Sequence, residues 1–129
     1  MRAMFAKYWV DPDTGYACVI VRNPHLGHLC AYVGVPDDHL AYGKDYDDDI
    51  FGAVMVHGGL TFSGFRQAIA GEPTDLWWLG FDCAHYGDYV PNMPSGGVYR
   101  DVGYVTNEVT MLAKQLKALQ YTDGSVVGE

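Results

Sequence analysis

The chain has 129 residues, of which 49% are apolar, 14% aromatic and 19% charged. This composition is typical of one globular domain, residues 1–129, and excludes a disordered chain. Because the net charge is −8 and the eight Lys and Arg residues are scattered, the chain has no basic face for long nucleic acid.

Apolar runs separated by turn residues predict five to six β-strands. Gly, Pro, Asn and Asp occupy the segments between the runs, as turns require. No amphipathic helix of crossover length stands between consecutive runs, so neighbouring strands are expected to be antiparallel. The runs are residues 5–10, 16–22, 28–35, 51–56, 60–65 and 75–81.

One long helix is predicted at residues 102–119, where apolar residues recur every three or four positions. Asp101 is its expected N-cap, and residues 120–129 are expected to fray. The predicted fold is an α+β domain of two layers. In it, this C-terminal helix packs on one face of an antiparallel sheet.

The three cysteines, Cys18, Cys30 and Cys83, form no CxxC pair, so neither a disulfide framework nor a zinc finger is predicted. The N-terminal sequence MRAMFAKYWV lacks the apolar core of an export signal, and no run approaches 18 apolar residues. We therefore expect reduced thiols, a cytoplasmic location and no membrane partner.

Two short polar segments follow apolar runs and contain the candidate functional residues. HGG occupies residues 57–59, and GFDCAHYGD occupies residues 80–88. Functional loops are commonly displayed at the ends of rigid strands. We therefore expect His57, Asp82 and His85 to converge in one concave site.

The segments HGGLTFSG, WWLGFDCAHYGD and YRDVGYVTNEVTMLAKQL resemble a family of small bacteriophage and prophage proteins. In that family HGGLT, GFDxAHxGD and a closing helix recur in this order, and the similarity covers residues 32–116. The resemblance implies a phage accessory protein that acts in the host bacterial cytoplasm. Small phage proteins of this kind often counter host defence, which is an inference by association.

The first functional interpretation is binding of a small nucleotide-like ligand, which would sequester a host defence signal. Aromatic rings would stack on a base, while Arg100 and glycine amides would take phosphate. The negative net charge opposes an anionic ligand unless the local field is reversed. The predicted ligand-binding residues are His57, Gly58, Gly59, Thr61, Trp78, Asp82, His85, Tyr86, Asp88 and Arg100.

The second interpretation is a metal-dependent hydrolase. His57, Asp82 and His85 would hold Zn, Mn or Fe with an activated water, and Asp88 would complete the catalytic set. A third interpretation is a protein that binds and inhibits a host defence enzyme. A homo-oligomer is also expected, because small sheets often pair their exposed edges.

Structural interpretations stand beside these functional ones. Aspartates in turns commonly accept hydrogen bonds from loop amides, which would explain Asp82 and Asp88. Trp77 and Trp78 are adjacent in a predicted strand, so their rings point to opposite faces and one of them is expected in the core. Cys83 near His85 is a candidate nucleophile for which the sequence identifies no orienting partner.

Overall fold

The computed structural model describes residues 5–94 and 96–122. The strands have the order β1-β2-β3-β5-β4, and every neighbouring pair is antiparallel. The helix packs on this sheet, so the predicted two-layer α+β fold is confirmed. The elements are β1 Ala6–Val10, β2 Ala17–Arg22, β3 Leu29–Val35, β4 Phe62–Gly64, β5 Trp77–Asp82 and α1 Val102–Thr122.

Helix α1 covers one face of the sheet with the apolar stripe that the sequence predicts. Val105, Val109, Leu112 and Leu116 are fully buried and share a core with residues of β2, β3 and β5. At the N-terminus of α1, Asp101 caps the helix by accepting a 2.9 Å hydrogen bond from the Tyr104 amide.

The helix ends three residues beyond the predicted position, so the first part of the expected tail is helical. The rest of that tail, residues 123–129, lies outside the described residues. Within the described chain, none of the helical structure combines the length and apolarity needed to cross a membrane.

The opposite face of the sheet carries a second apolar cluster built around Trp78, which is fully buried with Ala17 and Val19. The ring of Trp78 lies over β3 at Gly34, where a Cβ atom would be 3.0 Å from Cη2. Arg66 stacks over the Trp78 ring at 5.2 Å. A glycine on the neighbouring strand is therefore what lets this large ring lie flat against the sheet.

The strand predicted at residues 51–56 is wrong. The structure has a 3-10 helix at Asp49–Phe51, followed by a turn and an extended segment outside the sheet. Gln115 of α1 accepts a hydrogen bond from the Met55 amide at 2.7 Å and donates one to the Met55 carbonyl at 2.9 Å. Helix side chains therefore supply the backbone hydrogen bonds that a neighbouring strand would have supplied.

Two buried histidines predict how stability depends on pH. Burial lowers the pKa of His28 and of His39 below the ordinary value of 6.5. In His39, Nε2–H donates to the Leu116 carbonyl at 2.8 Å and Nδ1 accepts from the Ala41 amide at 2.8 Å, which fixes the neutral ring. As pH falls below 6.5, the unfolded chain takes up protons that the folded chain does not, so the folded state loses stability.

We expect the melting temperature to decline continuously from pH 7.5 to pH 5. Each of the two histidines contributes a slope of up to about 1.4 kcal/mol per pH unit. Thermal unfolding followed by circular dichroism measures the decline. His25→Gln is the matched control, because it removes an exposed histidine instead of a buried one. A melting temperature that stays constant over this range would contradict the expectation.

Candidate functional site

The two polar segments converge at one end of the sheet, beside the start of α1. The rings of His57 and His85 lie with their centroids 6.0 Å apart, and Asp88 Oδ2 is 2.8 Å from His57 Nε2. Asp82 Oδ1 lies 3.2 Å from His85 Nε2. The structure thus brings together the residues that the sequence pattern placed in one site.

Asp88 is the centre of this cluster, and its side chain has no exposed surface. Its Oδ1 accepts from Arg100 Nε at 2.8 Å, and its Oδ2 accepts from the His85 amide at 3.0 Å. Burial alone would raise the pKa of Asp88, but the hydrogen bonds from His57 and Arg100 lower it below its ordinary range. The carboxylate is therefore charged and fixed in position.

His57 is held from three sides. Nε2 lies 2.8 Å from Asp88 and Nδ1 lies 2.8 Å from the hydroxyl of Tyr104, while its backbone amide donates to Glu108 Oε1 at 2.8 Å. Because a carboxylate can only accept, His57 Nε2 carries a proton. In the neutral ring Nδ1 is then the acceptor, and the Tyr104 hydroxyl donates to it.

Sequence reasoning missed both Tyr104 and Glu108. They lie one helical turn apart in α1, outside its buried stripe, and therefore share the face that meets His57. Two polar residues four positions apart at the start of a helix, beside Arg100, were the available signal.

His85 packs against the tight turn that follows His57. Gly58 has φ +68°, and a Cβ atom there would clash with the imidazole of His85. The angle at His85 Nε2 does not allow a hydrogen bond to Asp82, so this buried nitrogen has no hydrogen-bond partner within the described chain. Glycine is thus required at position 58 both for the turn and for the approach of the ring.

Asp82 has the structural role that the sequence left open. Its Oδ1 accepts from the Ala84 amide at 3.0 Å, and its Oδ2 accepts from the Thr61 hydroxyl at 3.0 Å. The side chain is 30% exposed, against none for Asp88. The two aspartates of the DxxHxxD spacing therefore sit in different environments.

An open depression of about 480 Å³ adjoins His85 and Asp88. Its lining includes Gly87, Asp88, Gly96 and Gly97, and next to it the Val98 amide donates a hydrogen bond to the Gly87 carbonyl at 2.9 Å. Tyr86 lines the depression and is fully exposed. Gly87, Gly96 and Gly97 contribute no side chains to the lining, so a flat group can approach their backbone.

Two predicted ligand residues are placed otherwise. Trp78 lies in the apolar cluster on the opposite face of the sheet, so its ring does not reach the site. The amide of Gly59 donates to the Val56 carbonyl at 2.8 Å and is not free for a phosphate. Arg100 is in the site, where it pairs with Asp88 and lies over the Tyr104 ring at 5.1 Å.

The geometry does not support the predicted metal centre. Among residues 5–94 and 96–122, no group of three or more His, Cys, Asp and Glu side chains is arranged to hold a metal ion. Tyr104 and Asp88 already engage the two nitrogens of His57. The alternative nucleophile Cys83 is buried, and burial raises the pKa of its thiol to about 12, which keeps it neutral.

A third histidine, His28, belongs to the same end of the sheet and was not predicted. It is 95% buried, and its Nδ1 has no hydrogen-bond partner among the described residues. Asp82, Asp88 and His85 all influence its pKa, although burial has the largest effect and lowers it. No sequence signal distinguishes His28 from an ordinary residue at the start of a strand.

The chain matches no protein-family model, and no curated protein or solved structure is similar to it at the significance required. The resemblance to phage proteins therefore stays a prediction.

Proposed function

We propose that the protein binds a small nucleotide-like ligand in the depression beside His85 and Asp88. The observation that carries the proposal is the depression, which has the volume of a small-molecule pocket and adjoins convergent polar groups. The exposed Tyr86 ring offers a stacking surface, and the His85 imidazole in the lining offers a polar group.

The local charges also favour this ligand more than the net charge does. Arg100 and the Nε2–H of His57 both donate to Asp88, so the one fully buried carboxylate of the site is compensated. Arg100 is 26% exposed and can also face an anionic group. In the phage context that the resemblance implies, such a protein would bind a host defence signal in the bacterial cytoplasm.

Tyr86→Ala is expected to weaken nucleotide binding by about tenfold or more, because stacking on one ring contributes ~1–3 kcal/mol. Calorimetric titration with mono-, di- and cyclic nucleotides measures the change. Tyr46→Ala is the matched control, since Tyr46 is an exposed tyrosine in the acidic segment DYDDD at residues 45–49, outside the depression. The proposal fails if no nucleotide binds at high micromolar concentration, or if both variants lose affinity equally.

A second candidate is the protein-binding inhibitor. One segment next to the depression exposes several large apolar side chains, and aromatic residues and Met are enriched in interface cores. These side chains are Tyr86, Tyr89, Met93 and Val98. Failure of every nucleotide in the titration would favour this candidate.

The predicted homo-oligomer would form through the edge strands of the sheet, which are β1 and β4. Pairing of such edges between copies would satisfy their unpaired backbone groups. Native mass spectrometry measures the subunit count, and the same spectrum reveals any nucleotide or metal retained during purification. A purely monomeric spectrum at micromolar concentration would contradict the oligomer.

A further inference from the structure

The hydrogen-bond chain Asp88–His57–Tyr104 has the geometry of a base-assisted hydroxyl. A fully buried carboxylate accepts from His57 Nε2, and Nδ1 of the same ring lies 2.8 Å from the Tyr104 hydroxyl oxygen. Carboxylate, imidazole and hydroxyl in this order fix the tautomer and aim the basic nitrogen at the hydroxyl proton. Glu108 adds a fourth constraint by holding the His57 backbone.

The environment of Tyr104 determines what this arrangement can do. Burial, followed by the charge of Glu108, raises the pKa of the Tyr104 phenol above 10, so the hydroxyl stays protonated until a base removes the proton. The Arg100 guanidinium lies over the Tyr104 ring at 5.1 Å. Since Arg100 bonds Asp88 through Nε, its Nη groups are not needed to hold that carboxylate and can pair with an anionic group beside the phenol.

We propose that Tyr104 is a nucleophile toward phosphodiesters, with His57 as its general base and Arg100 as the group that binds the phosphate. The phenol oxygen forms a bond to phosphorus while the bond from phosphorus to the leaving oxygen breaks. The proton of Tyr104 passes to His57 Nδ1 and then to the leaving oxygen. The oxygen of a water molecule then forms a bond to phosphorus while the bond from phosphorus to the Tyr104 oxygen breaks. The proton of that water passes to His57 Nδ1 and from there to the Tyr104 phenolate, which regenerates the phenol.

The choice of a phosphodiester rests on the proposed nucleotide-like ligand, whereas the reactivity of Tyr104 rests on the hydrogen-bond chain alone. An experiment can therefore refute the nucleotide-like ligand without refuting the reactivity of Tyr104, and the reverse. If nucleotides bind and Tyr104 does not react, only the nucleophile is wrong. If Tyr104 reacts with a phosphodiester and no nucleotide binds, only the nucleotide ligand is wrong.

Bis(p-nitrophenyl) phosphate is the probe, and the full chain is the sample. We expect a burst of p-nitrophenolate and a p-nitrophenyl phosphate adduct on the peptide that contains Tyr104, identified by mass spectrometry. Tyr86 is the internal reference, because it is fully exposed and, within the part of the chain that the structure describes, its hydroxyl has no histidine partner of the kind that Tyr104 has. Adduct formation that is as fast on Tyr86 as on Tyr104 would overturn the proposal, as would the absence of any adduct.

Variants separate base assistance from simple exposure. Tyr104→Phe should abolish the burst, and His57→Gln should slow adduct formation at Tyr104 by about a hundredfold, since a positioned base contributes 10²–10⁴. An unchanged rate in folded His57→Gln would overturn the proposal.

A measurement on the unmodified protein covers the case in which His57→Gln does not fold. The rate of adduct formation at Tyr104 should rise with pH and reach a plateau well below pH 10, where free phenols ionise. The rate at Tyr86 should keep rising toward that pH. Parallel profiles at the two tyrosines would show that His57 gives no assistance and would overturn the proposal.

Discussion

Asp88→Ala is expected to lower the free energy of unfolding by about 3 kcal/mol. The substitution removes a fully buried carboxylate and leaves His57 Nε2–H, Arg100 Nε and the His85 amide without their acceptor. Loss of one partner from a buried ion pair costs roughly 3–5 kcal/mol, and the partial exposure of Arg100 places this case at the lower end. Urea unfolding followed by tryptophan fluorescence measures the change.

The matched control for Asp88→Ala is Asp82→Ala in the same loop. Asp82 also accepts a loop amide, but its side chain is 30% exposed and water can replace its hydrogen bonds. We expect a loss of about 1 kcal/mol or less for this variant. Equal losses for the two variants would mean that burial does not distinguish the two aspartates.

The sequence alone could not predict this difference in burial between the two aspartates. The DxxHxxD spacing is symmetrical, so nothing in it shows that Asp88 is buried and central while Asp82 caps a turn. The convergence of the two segments was nevertheless predictable. The expected reason, two strands that end at a common sheet edge, holds for β5 only. Residues 51–56 lie outside the sheet, and His57 reaches the site through its hydrogen bonds to Asp88, Tyr104 and Glu108.

The error at residues 51–56 has a different origin. The apolar run was read as a strand because burial and strand pairing usually occur together. Here Val54 and Val56 pack against the core, but the backbone of the segment bonds to side chains of α1 that lie more than 50 residues away in sequence. Hydrogen bonds over that separation leave no local pattern, so the apolar run alone could not reveal them.

For helix α1, the sequence predicted the buried stripe but not the contact with His57. Its stripe predicted the core correctly, because period and burial are the same property of one element. Tyr104 was missed since it lies off that stripe, and its role depends on His57, a residue 47 positions earlier. The periodicity of apolar residues therefore predicted the helix and sheet layers. The position of the Tyr104 hydroxyl in the site could be found only from the three-dimensional structure.

Trp78→Ala is expected to lower the free energy of unfolding by about 3–5 kcal/mol, the usual cost of removing a buried Trp ring. The ring is fully buried in the cluster with Ala17 and Val19, and the glycine beneath it offers no side chain to fill the space. The sequence showed that Trp77 and Trp78 face opposite ways, but not which of the two faces carries the site.

Placement of Trp78 on the face opposite the site makes this prediction a test of the ligand proposal as well. Below the unfolding transition, Trp78→Ala should keep the nucleotide affinity of the parent protein, whereas Tyr86→Ala should lose affinity and keep its stability, because its ring is fully exposed. Chemical unfolding gives the free energy of unfolding of each variant, and calorimetric titration gives the nucleotide affinity of each. If folded Trp78→Ala loses affinity as strongly as Tyr86→Ala does, the ligand site is not confined to the depression beside His85, and the proposed position of the ligand is wrong.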